Sequence, residues 1–404
     1  MVSETGLSQE SGAMASDNIT FSRGTDIQEF YRNCNLFVTG GTGFIGKILI
    51  EKLLRSCPAI NKIYVIIRPK RSKSPEERKE ELIKCSVFDV LKATNPDFHK
   101  KLVMVPGDCS LPKIGISPSD YEMLTQQVNI IFHLAATVKF DEKINIAVPM
   151  NIGGTKEIID LGRACVNLKS LVYLSTAYSN CNRKDIEECF YDPPLEDDEV
   201  INFLASVNES VMETLKPKII GMWPNTYTFT KAIAESIIRK TASDLPVAIV
   251  RPSQVSTTLK EPVCGWIDNV YGPNGAAVGL FAGLVRTGIS HAETKLNIIP
   301  VDMVANCIIA AAFGATTSKY GTGLPRLYRR SLSISLVLNA TNTTWRMHTA
   351  RPRFGSGAPR RACAVRFSQT HLANGHVTRS YAATKRDYAN YVYRHAEYTP
   401  ASGG

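Results

Sequence analysis

The sequence lacks several features that would mark a secreted, membrane-spanning or metal-binding protein. It begins Met-Val-Ser-Glu-Thr without an apolar segment, so we expect an intracellular protein without a secretory signal. The sequence contains no run of about 18 apolar residues, so we expect no membrane-spanning helix. The ten cysteines include no Cys-x-x-Cys pair and no Cys/His cluster with zinc spacing. We therefore expect free thiols in a reducing compartment and no metal site.

Acidic residues are scarce in one part of the chain only. The formal net charge is +10, but residues 314–404 hold 14 Lys and Arg against 2 Asp and Glu. The other 313 residues hold 33 basic and 35 acidic side chains. The excess of basic over acidic residues therefore lies in residues 314–404, and it does not predict nucleic-acid binding for the whole protein.

The composition divides the chain into three parts. Residues 1–30 are polar and Ser-rich, which predicts a flexible leader. Residues 31–313 alternate short apolar runs with helical spacing, which predicts an α/β fold with a mostly parallel sheet covered on both faces. Residues 314–404 show no sustained period, so we predict no fold for them. Segment 182–223 interrupts the rhythm, either as an insertion near the active site or as a surface excursion.

Glycines at fixed spacing follow the first apolar run, in the sequence Thr-Gly-Gly-Thr-Gly-Phe-Ile-Gly. Backbone N–H groups at the start of a helix bind a pyrophosphate when no Cβ blocks its approach, and a last glycine lets the helix pack on the sheet. The pattern predicts a dinucleotide site in a doubly wound Rossmann fold, although glycines also occur in ordinary turns. The residues expected to contact the cofactor here are Thr39, Gly40, Gly43, Phe44, Ile45 and Gly46.

The end of the second apolar run indicates which dinucleotide binds. An NAD site has an acidic residue there, about 20 positions after the glycines, for the ribose 2′-hydroxyl. This chain has Arg68 and Lys70 instead, with Arg68 22 positions after Gly46. Cations suit the 2′-phosphate, which Arg holds with a bidentate fork. NADPH is therefore the predicted cofactor, and a solvated basic loop is the alternative.

Three further residues are expected along the cofactor. Asp108 follows the third apolar run and either accepts from the adenine amino group or simply closes a turn. Ala135 ends the fourth run, where a small residue leaves room for the nicotinamide ribose, and Lys139 lies just beyond it, near the cofactor mouth. We interpret His133 as a core residue without a catalytic role.

Tyr227 and Lys231 form a Tyr-x-x-x-Lys pattern, which places both side chains on one helix face. We expect the lysine to lower the pKa of the Tyr227 phenol from about 10 and to hold the nicotinamide ribose. Ser175 and Thr176 end an intervening strand, and one of the two hydroxyls would bind the reacting carbonyl oxygen. Tyr178 is excluded because no lysine follows it four positions on.

The order of these motifs resembles the alcohol-forming fatty acyl-CoA reductases of the male sterility type, within the extended short-chain dehydrogenase/reductase superfamily. The likeness covers about residues 33–313. The glycine motif and Tyr-x-x-x-Lys are common to the superfamily. Two blocks are more specific to this family, Gly-Trp-Ile-Asp-Asn at 265–269 and Pro-Val-Asp-Met-Val at 300–304.

The resemblance implies that a long-chain fatty acyl-CoA is reduced with two NADPH, through a hemithioacetal and an aldehyde, to a primary fatty alcohol. Tyr227, with Thr176 or Ser175, would stabilise and protonate the carbonyl oxygen. The resemblance also implies a C-terminal helical domain and association with peroxisomal or endoplasmic reticulum membranes. The residues alone indicate only NADPH-dependent reduction of a carbonyl.

Two other functions stay open at this point. One is an extended reductase or epimerase that acts on a nucleotide sugar or another small carbonyl compound. The other is an NADP(H)-binding regulatory protein without turnover, against which the intact pair of Tyr227 and Lys231 argues. The likeness stops near Phe313, where the basic stretch begins. We hypothesise an aberrant splice, a shifted reading frame or a truncated isoform.

Overall fold

The computed structural model of the chain describes residues 24–68, 73–290 and 296–317, together with short strands at 326–327, 348–350 and 363–366. Lys70, most of the predicted leader and most of the basic stretch lie outside these residues.

The strands follow from short, mostly β-branched apolar runs. Within the described residues they are β1 (Asn35–Thr39), β2 (Lys62–Ile67), β3 (Leu102–Pro106), β4 (Ile130–His133), β5 (Ser170–Leu174), β6 (Val247–Val250), β7 (Gln254–Ser256), β8 (Thr287–Ser290), β9 (Ile298–Pro300), β10 (Arg326–Leu327), β11 (His348–Ala350) and β12 (Cys363–Arg366).

Seven of these strands form one parallel sheet in the order β10-β6-β5-β4-β1-β2-β3. The chain order reverses between β1 and β4, and in sheets of this kind ligands bind beyond the carboxyl ends of the strands at such a reversal. Strands β7 and β9 pair in parallel, and β8 pairs with β12, which pairs with β11. The predicted α/β Rossmann fold with a mostly parallel sheet is confirmed.

Helices connect and cover the strands. They are α1 (Asp26–Tyr31), α2 (Phe44–Ser56), α3 (Pro75–Lys84), α4 (Asp89–Thr94), α5 (Pro118–Gln127), α6 (Ile144–Val148), α7 (Gly154–Ala164), α8 (Asp197–Ser206), α9 (Glu209–Ile220), α10 (Thr226–Thr241), α11 (Gly272–Phe281) and α12 (Val301–Thr317). Short 3-10 turns occur at Ser86–Phe88, Pro96–Lys101 and Pro112–Gly115, and a π-helical turn at Pro149–Gly153 joins α6 to α7. None of the helices in the described part is long and apolar enough to cross a membrane.

The core has two layers, one on each face of the sheet. Successive strand residues alternate between them, so Leu36 and Val38 belong to the layer that includes residues of α2 and α12, whereas Phe37 belongs to the layer that includes residues of α5, α7 and α10. Burial on both faces explains why the strands are continuously apolar. Helix α10 therefore lies on one face of the sheet. The glycine-rich loop lies at the carboxyl edge of the sheet.

Helices α1 and α12 run across the two boundaries predicted for the Rossmann region, and the division of the chain stays a prediction. Helix α1 starts before residue 30 and ends at Tyr31, and Thr25 forms a capping box with Gln28 at its start. Tyr31 is fully buried, and its hydroxyl donates to the carbonyl oxygen of Ile309 at 2.9 Å. Helix α12 continues through residue 314 without a break. The capping box and the hydrogen bond to Ile309 thus fix α1 against α12.

Candidate active site at the carboxyl edge of the sheet

The glycine-rich loop joins β1 to α2 and approaches β4 closely. Gly40 has a φ of 71°, and a Cβ there would lie 2.8 Å from the backbone nitrogen of Ala135. A Cβ on Gly46 would lie 2.3 Å from the carbonyl oxygen of Gly40. Gly43 is the N-cap of α2 and offers no side-chain cap. Positions 40, 43 and 46 therefore carry no side chain where the loop meets the start of α2, which fits the pyrophosphate of a dinucleotide.

Thr39 ties this loop to the neighbouring strand. Its hydroxyl oxygen accepts from the backbone N–H groups of Leu134 and Ala135, both at 3.1 Å. The single hydroxyl hydrogen is then directed to Nδ1 of His133, 2.7 Å away. Burial lowers the pKa of His133 to about 3, so the ring is neutral. His133 is thus a buried neighbour of the loop, and contact of Thr39 and Ala135 with the cofactor stays a prediction.

Arg68 and Asp108 lie side by side at the ends of β2 and β3. Arg68 Nε lies 3.0 Å from Asp108 Oδ2, and the arginine side chain is mostly exposed. Asp108 Oδ1 accepts from both the backbone N–H and the hydroxyl of Ser110. Two of the residues predicted to bind the adenosine half are therefore brought together as an ion pair. Lys70, predicted beside them, is outside the described residues.

The loop after β4 borders the site on the outer side. Lys139 is exposed, and its Nζ lies 3.8 Å from Glu142 Oε2. Phe140 is 63% exposed and stacks on Tyr227, with ring centroids 6.1 Å apart. The predicted cofactor-mouth lysine thus lies on the loop that covers the tyrosine ring.

Tyr227 lies in the first turn of α10, which begins there because the Asn225 side chain accepts from the N–H of Thr228 at 2.9 Å. The half-buried phenol forms a side-chain hydrogen bond with Thr176. Burial raises the pKa of Tyr227 to about 12, and the hydrogen bond to Thr176 opposes this rise. The expected lowering of this pKa by Lys231 is not found, since burial is the largest influence and nearby Glu235 raises the pKa further.

Lys231 lies one turn later on the same face and is 2% exposed. Its Nζ donates to the carbonyl oxygen of Leu174 at 2.7 Å and to the hydroxyl of Tyr173 at 3.0 Å. Burial lowers the pKa of Lys231 to about 7, while nearby Glu235 raises it. At neutral pH the amino group is then only partly charged.

Ser175 and Thr176 have different partners. The hydroxyl of Ser175 donates to the carboxylate of Glu235, and Ser179 donates to the same carboxylate at 3.1 Å. Arg251 binds Glu235 through Nε at 3.0 Å and Nη2 at 2.6 Å, and both side chains are less than a tenth exposed. Ser175 is therefore engaged in a buried network, and Thr176 is the hydroxyl that contacts Tyr227.

Sequence reasoning missed three residues of this site, Tyr173, Glu235 and Asn151. Glu235 carried a usable signal, since it follows Lys231 by four positions and so shares its helix face. Asn151, on the π-helical turn, accepts from the N–H of Thr137 at 2.9 Å and donates to the Thr230 hydroxyl at 2.9 Å. No pattern in the sequence distinguished Tyr173 from other apolar strand residues.

Segment 182–223 packs beside α10. Arg251 donates to the carbonyl oxygens of Glu187 and Cys189, at 3.2 and 3.0 Å. The indole of Trp223 donates to the carbonyl of Ser179 at 2.8 Å, and Lys216 Nζ donates to the carbonyl of Glu142 at 2.9 Å. These contacts join the segment to Arg251, Ser179 and the loop after β4, and its interpretation as an insertion near the active site stays a prediction.

The two family-specific blocks support the glycine-rich loop. Trp266 stacks on Phe44, the first residue of α2, with ring centroids 5.7 Å apart. Lys47 on the same helix pairs with Asp268 at 2.8 Å. The carboxylate of Asp302 accepts from the backbone N–H groups of residues 259 and 260, both at 2.9 Å. The blocks therefore hold segment 258–269 against the helix that starts at the loop.

Together the sheet order, the glycine-rich loop and the Tyr-x-x-x-Lys helix define a nicotinamide dinucleotide-binding Rossmann domain of the extended short-chain dehydrogenase/reductase class. In the described part, no group of three or more His, Cys, Asp or Glu side chains could hold a metal ion.

Residues 38–308 match the male sterility protein family, and the chain belongs to it. It is 44% identical over 323 residues to fatty acyl-CoA reductase wat of Drosophila melanogaster, which covers 80% of this chain and 61% of that protein. It is 42% identical over 287 residues to fatty acyl-CoA reductase 1 of Mus musculus, with 71% and 56% covered. The chain thus spans about three fifths of the length of these relatives.

Among solved structures, a similar one is the reductase domain of a nonribosomal peptide synthetase from Mycobacterium tuberculosis. The TM-score is 0.50 at 20% identity, and the match covers 78% of this chain and 73% of that one. At this identity the likeness supports the fold alone.

Proposed function

We propose that residues 31–313 form the reductase domain of an alcohol-forming fatty acyl-CoA reductase, which uses NADPH to reduce a long-chain acyl-CoA to a fatty alcohol. The observation that carries the proposal is the convergence of Tyr227, Thr176 and Lys231 at the sheet edge that also holds the glycine-rich loop. Relatives named fatty acyl-CoA reductase, at 42–44% identity, support the substrate class. The peroxisomal or endoplasmic reticulum membrane location rests on family likeness alone.

The residues at the ends of β2 and β3 fit NADPH better than NADH. Arg68 is mostly exposed, and its guanidinium contacts Asp108 through Nε at 3.0 Å and the sulfur of Met150 through Nη2 at 4.0 Å. An exposed guanidinium can turn to a 2′-phosphate and bind it with two hydrogen bonds. An acidic residue for the ribose 2′-hydroxyl is absent from the end of β2, where the chain has Arg68. When bound, NADPH supplies the hydride.

Tyr227 and Thr176 would bind the carbonyl oxygen of the substrate. With a pKa of about 12 the Tyr227 hydroxyl is protonated at neutral pH, so it donates a hydrogen bond to an oxygen that gains negative charge. Thr176, which is hydrogen-bonded to Tyr227, fixes the direction of that hydroxyl. The ammonium form of Lys231 would favour transfer of the tyrosine proton to the oxygen, as positive charge stabilises the phenolate that remains.

The experiment that tests this function is NADPH oxidation by the purified chain with a long-chain acyl-CoA, with products identified by mass. We expect fatty alcohol from the parent protein. Tyr227→Phe should lower the rate by about 10²–10⁴-fold, since it removes the acid–base group, while NADPH still binds. Turnover of a nucleotide sugar without turnover of acyl-CoA would contradict the proposal. NADPH binding with no turnover of any carbonyl would indicate a binding protein instead.

A further inference from the structure

The amino group of Lys231 begins a line of buried hydrogen bonds. Its Nζ donates to the hydroxyl of Tyr173 at 3.0 Å, and the Tyr173 hydroxyl is hydrogen-bonded to the side chain of Thr155. The hydroxyl of Thr155 donates to the carbonyl oxygen of Asn151 at 2.7 Å. Each of the four residues is at most 2% exposed. The line thus runs from α10 through β5 to the π-helical turn before α7, away from solvent.

The donors in this line all point the same way. A hydroxyl carries one hydrogen, and Thr155 directs its hydrogen to Asn151. The Thr155 oxygen is therefore left to accept from Tyr173, whose own oxygen accepts from Lys231. Each hydrogen bond polarises the next one, so the Tyr173 oxygen becomes a better acceptor. A better acceptor at this point favours the protonated, cationic form of Lys231.

The ring of Tyr173 is fixed independently of its hydroxyl. It packs against His133 with ring centroids 5.6 Å apart, and Lys231 Nζ lies 4.3 Å from the Tyr173 ring centroid. Phenylalanine at this position would keep these ring contacts and remove only the acceptor. The role of the hydroxyl can thus be separated from the packing of the core.

We propose that Tyr173 is a positioning residue, whose hydroxyl fixes both the place and the protonation of the Lys231 amino group. Its meaning for catalysis rests on the proposed reductase function, in which Lys231 assists Tyr227. The hydrogen-bonded line is a property of the fold and can be tested without turnover.

The charged and titratable groups that face Lys231 come from three elements. Glu235 and Tyr227 lie on α10, Tyr173 on β5 and His133 on β4. Burial lowers the pKa of Lys231 to about 7 and Glu235 raises it, while His133 is neutral. Loss of a hydrogen bond to a charged group should lower the pKa of Lys231 by about one to two units more.

The test is an NMR titration of the whole chain labelled with 13Cε-lysine. The Lys231 resonance is the one that disappears in Lys231→Met. We expect its midpoint near pH 7 in the parent protein and at least about one unit lower in Tyr173→Phe. Thr155→Val removes the hydrogen-bond partner of Tyr173 instead of that of Lys231. It should lower the Lys231 titration midpoint as well, but by less than Tyr173→Phe does. Tyr64→Phe is the matched control, a buried strand tyrosine whose hydroxyl bonds Gln127.

Kinetics supply a second, separate readout. A rate that needs the Lys231 ammonium falls as the pH rises through its pKa, so the descending limb of kcat/KM against pH should move to lower pH in Tyr173→Phe. Equal midpoints in Tyr173→Phe, Thr155→Val and the parent protein would overturn the proposal. A shifted midpoint in a chain without acyl-CoA turnover would support the positioning role and reject the proposed reductase function.

Discussion

The two ends of the active site are held by different kinds of interaction. At the cofactor end, Arg68 pairs with Asp108 and Lys47 with Asp268, and all four side chains are partly exposed. At the catalytic end, Lys231, Ser175 and the pair of Glu235 and Arg251 are less than a tenth exposed. Exposed ion pairs can exchange partners at little cost, whereas buried charged groups depend on the partners they have.

The contrast assigns different tasks to the two ends. A dinucleotide brings its own phosphates, so the cations that receive it must be able to leave their present partners. The reacting carbonyl needs donors already in place, because donors that must reorganise lose much of their effect on the transition state. We therefore expect the cofactor end to adjust on binding and the catalytic end to remain as it is.

The largest effect on stability should come from breaking the buried pair. Glu235→Gln keeps the shape of the side chain but leaves Arg251 buried without a counter-ion, which costs about 3–5 kcal/mol. Urea unfolding monitored by circular dichroism measures this cost. Glu209→Gln is the control, since Glu209 and its partner Lys143 are both largely exposed, and it should leave the midpoint unchanged. Similar unfolding midpoints for the two variants would show that the buried ion pair contributes no more to stability than an exposed one, which would contradict the contrast drawn above.

The next effect should separate two neighbouring hydroxyls at the end of β5. Thr176→Val removes the partner of Tyr227 and should lower kcat/KM for acyl-CoA by about 10²–10³-fold. Ser175→Ala removes one of several donors to Glu235, so it should cost about 1 kcal/mol of stability and change the rate little. Steady-state kinetics beside urea unfolding of both variants measures the two effects. The reverse ranking of the rates would make Ser175 the hydroxyl that binds the carbonyl.

A smaller effect than that of Thr176→Val is expected at the cofactor end. Arg68→Ala should weaken NADPH binding by about 10- to 100-fold, since a charge-assisted hydrogen bond is worth about 1.5–3 kcal/mol, and should leave NADH binding unchanged. Fluorescence titration with each cofactor measures the two dissociation constants. Arg32→Ala provides the matched control, because Arg32 is an exposed arginine on the distant α1, paired with Glu29. An equal loss of NADPH and NADH affinity would show that Arg68 does not select the phosphate.

The glycine-rich loop and the spacing of Tyr227 and Lys231 could be predicted from the sequence because each of these features is local. The glycine-rich loop is contiguous, and Tyr227 and Lys231 share a helix turn. The catalytic end could be predicted only in part, because Lys231 meets Tyr173 across 58 positions and Glu235 meets Arg251 across 16. Such pairings depend on the register of β5 against its neighbours, which no short pattern encodes. The same dependence left Ser175 and Thr176 undecided.

The hydrogen bond from Tyr31 to Ile309 links the first described helix to the last, across 278 positions. A ribosome that adds roughly 5 to 20 residues per second needs about 15 to 55 seconds to make that stretch. During that time β1 and α2 have emerged, but α12, which covers them, has not yet been synthesised. The nascent chain thus exposes an open apolar layer for most of its own synthesis, and this layer is where we expect chaperones to bind.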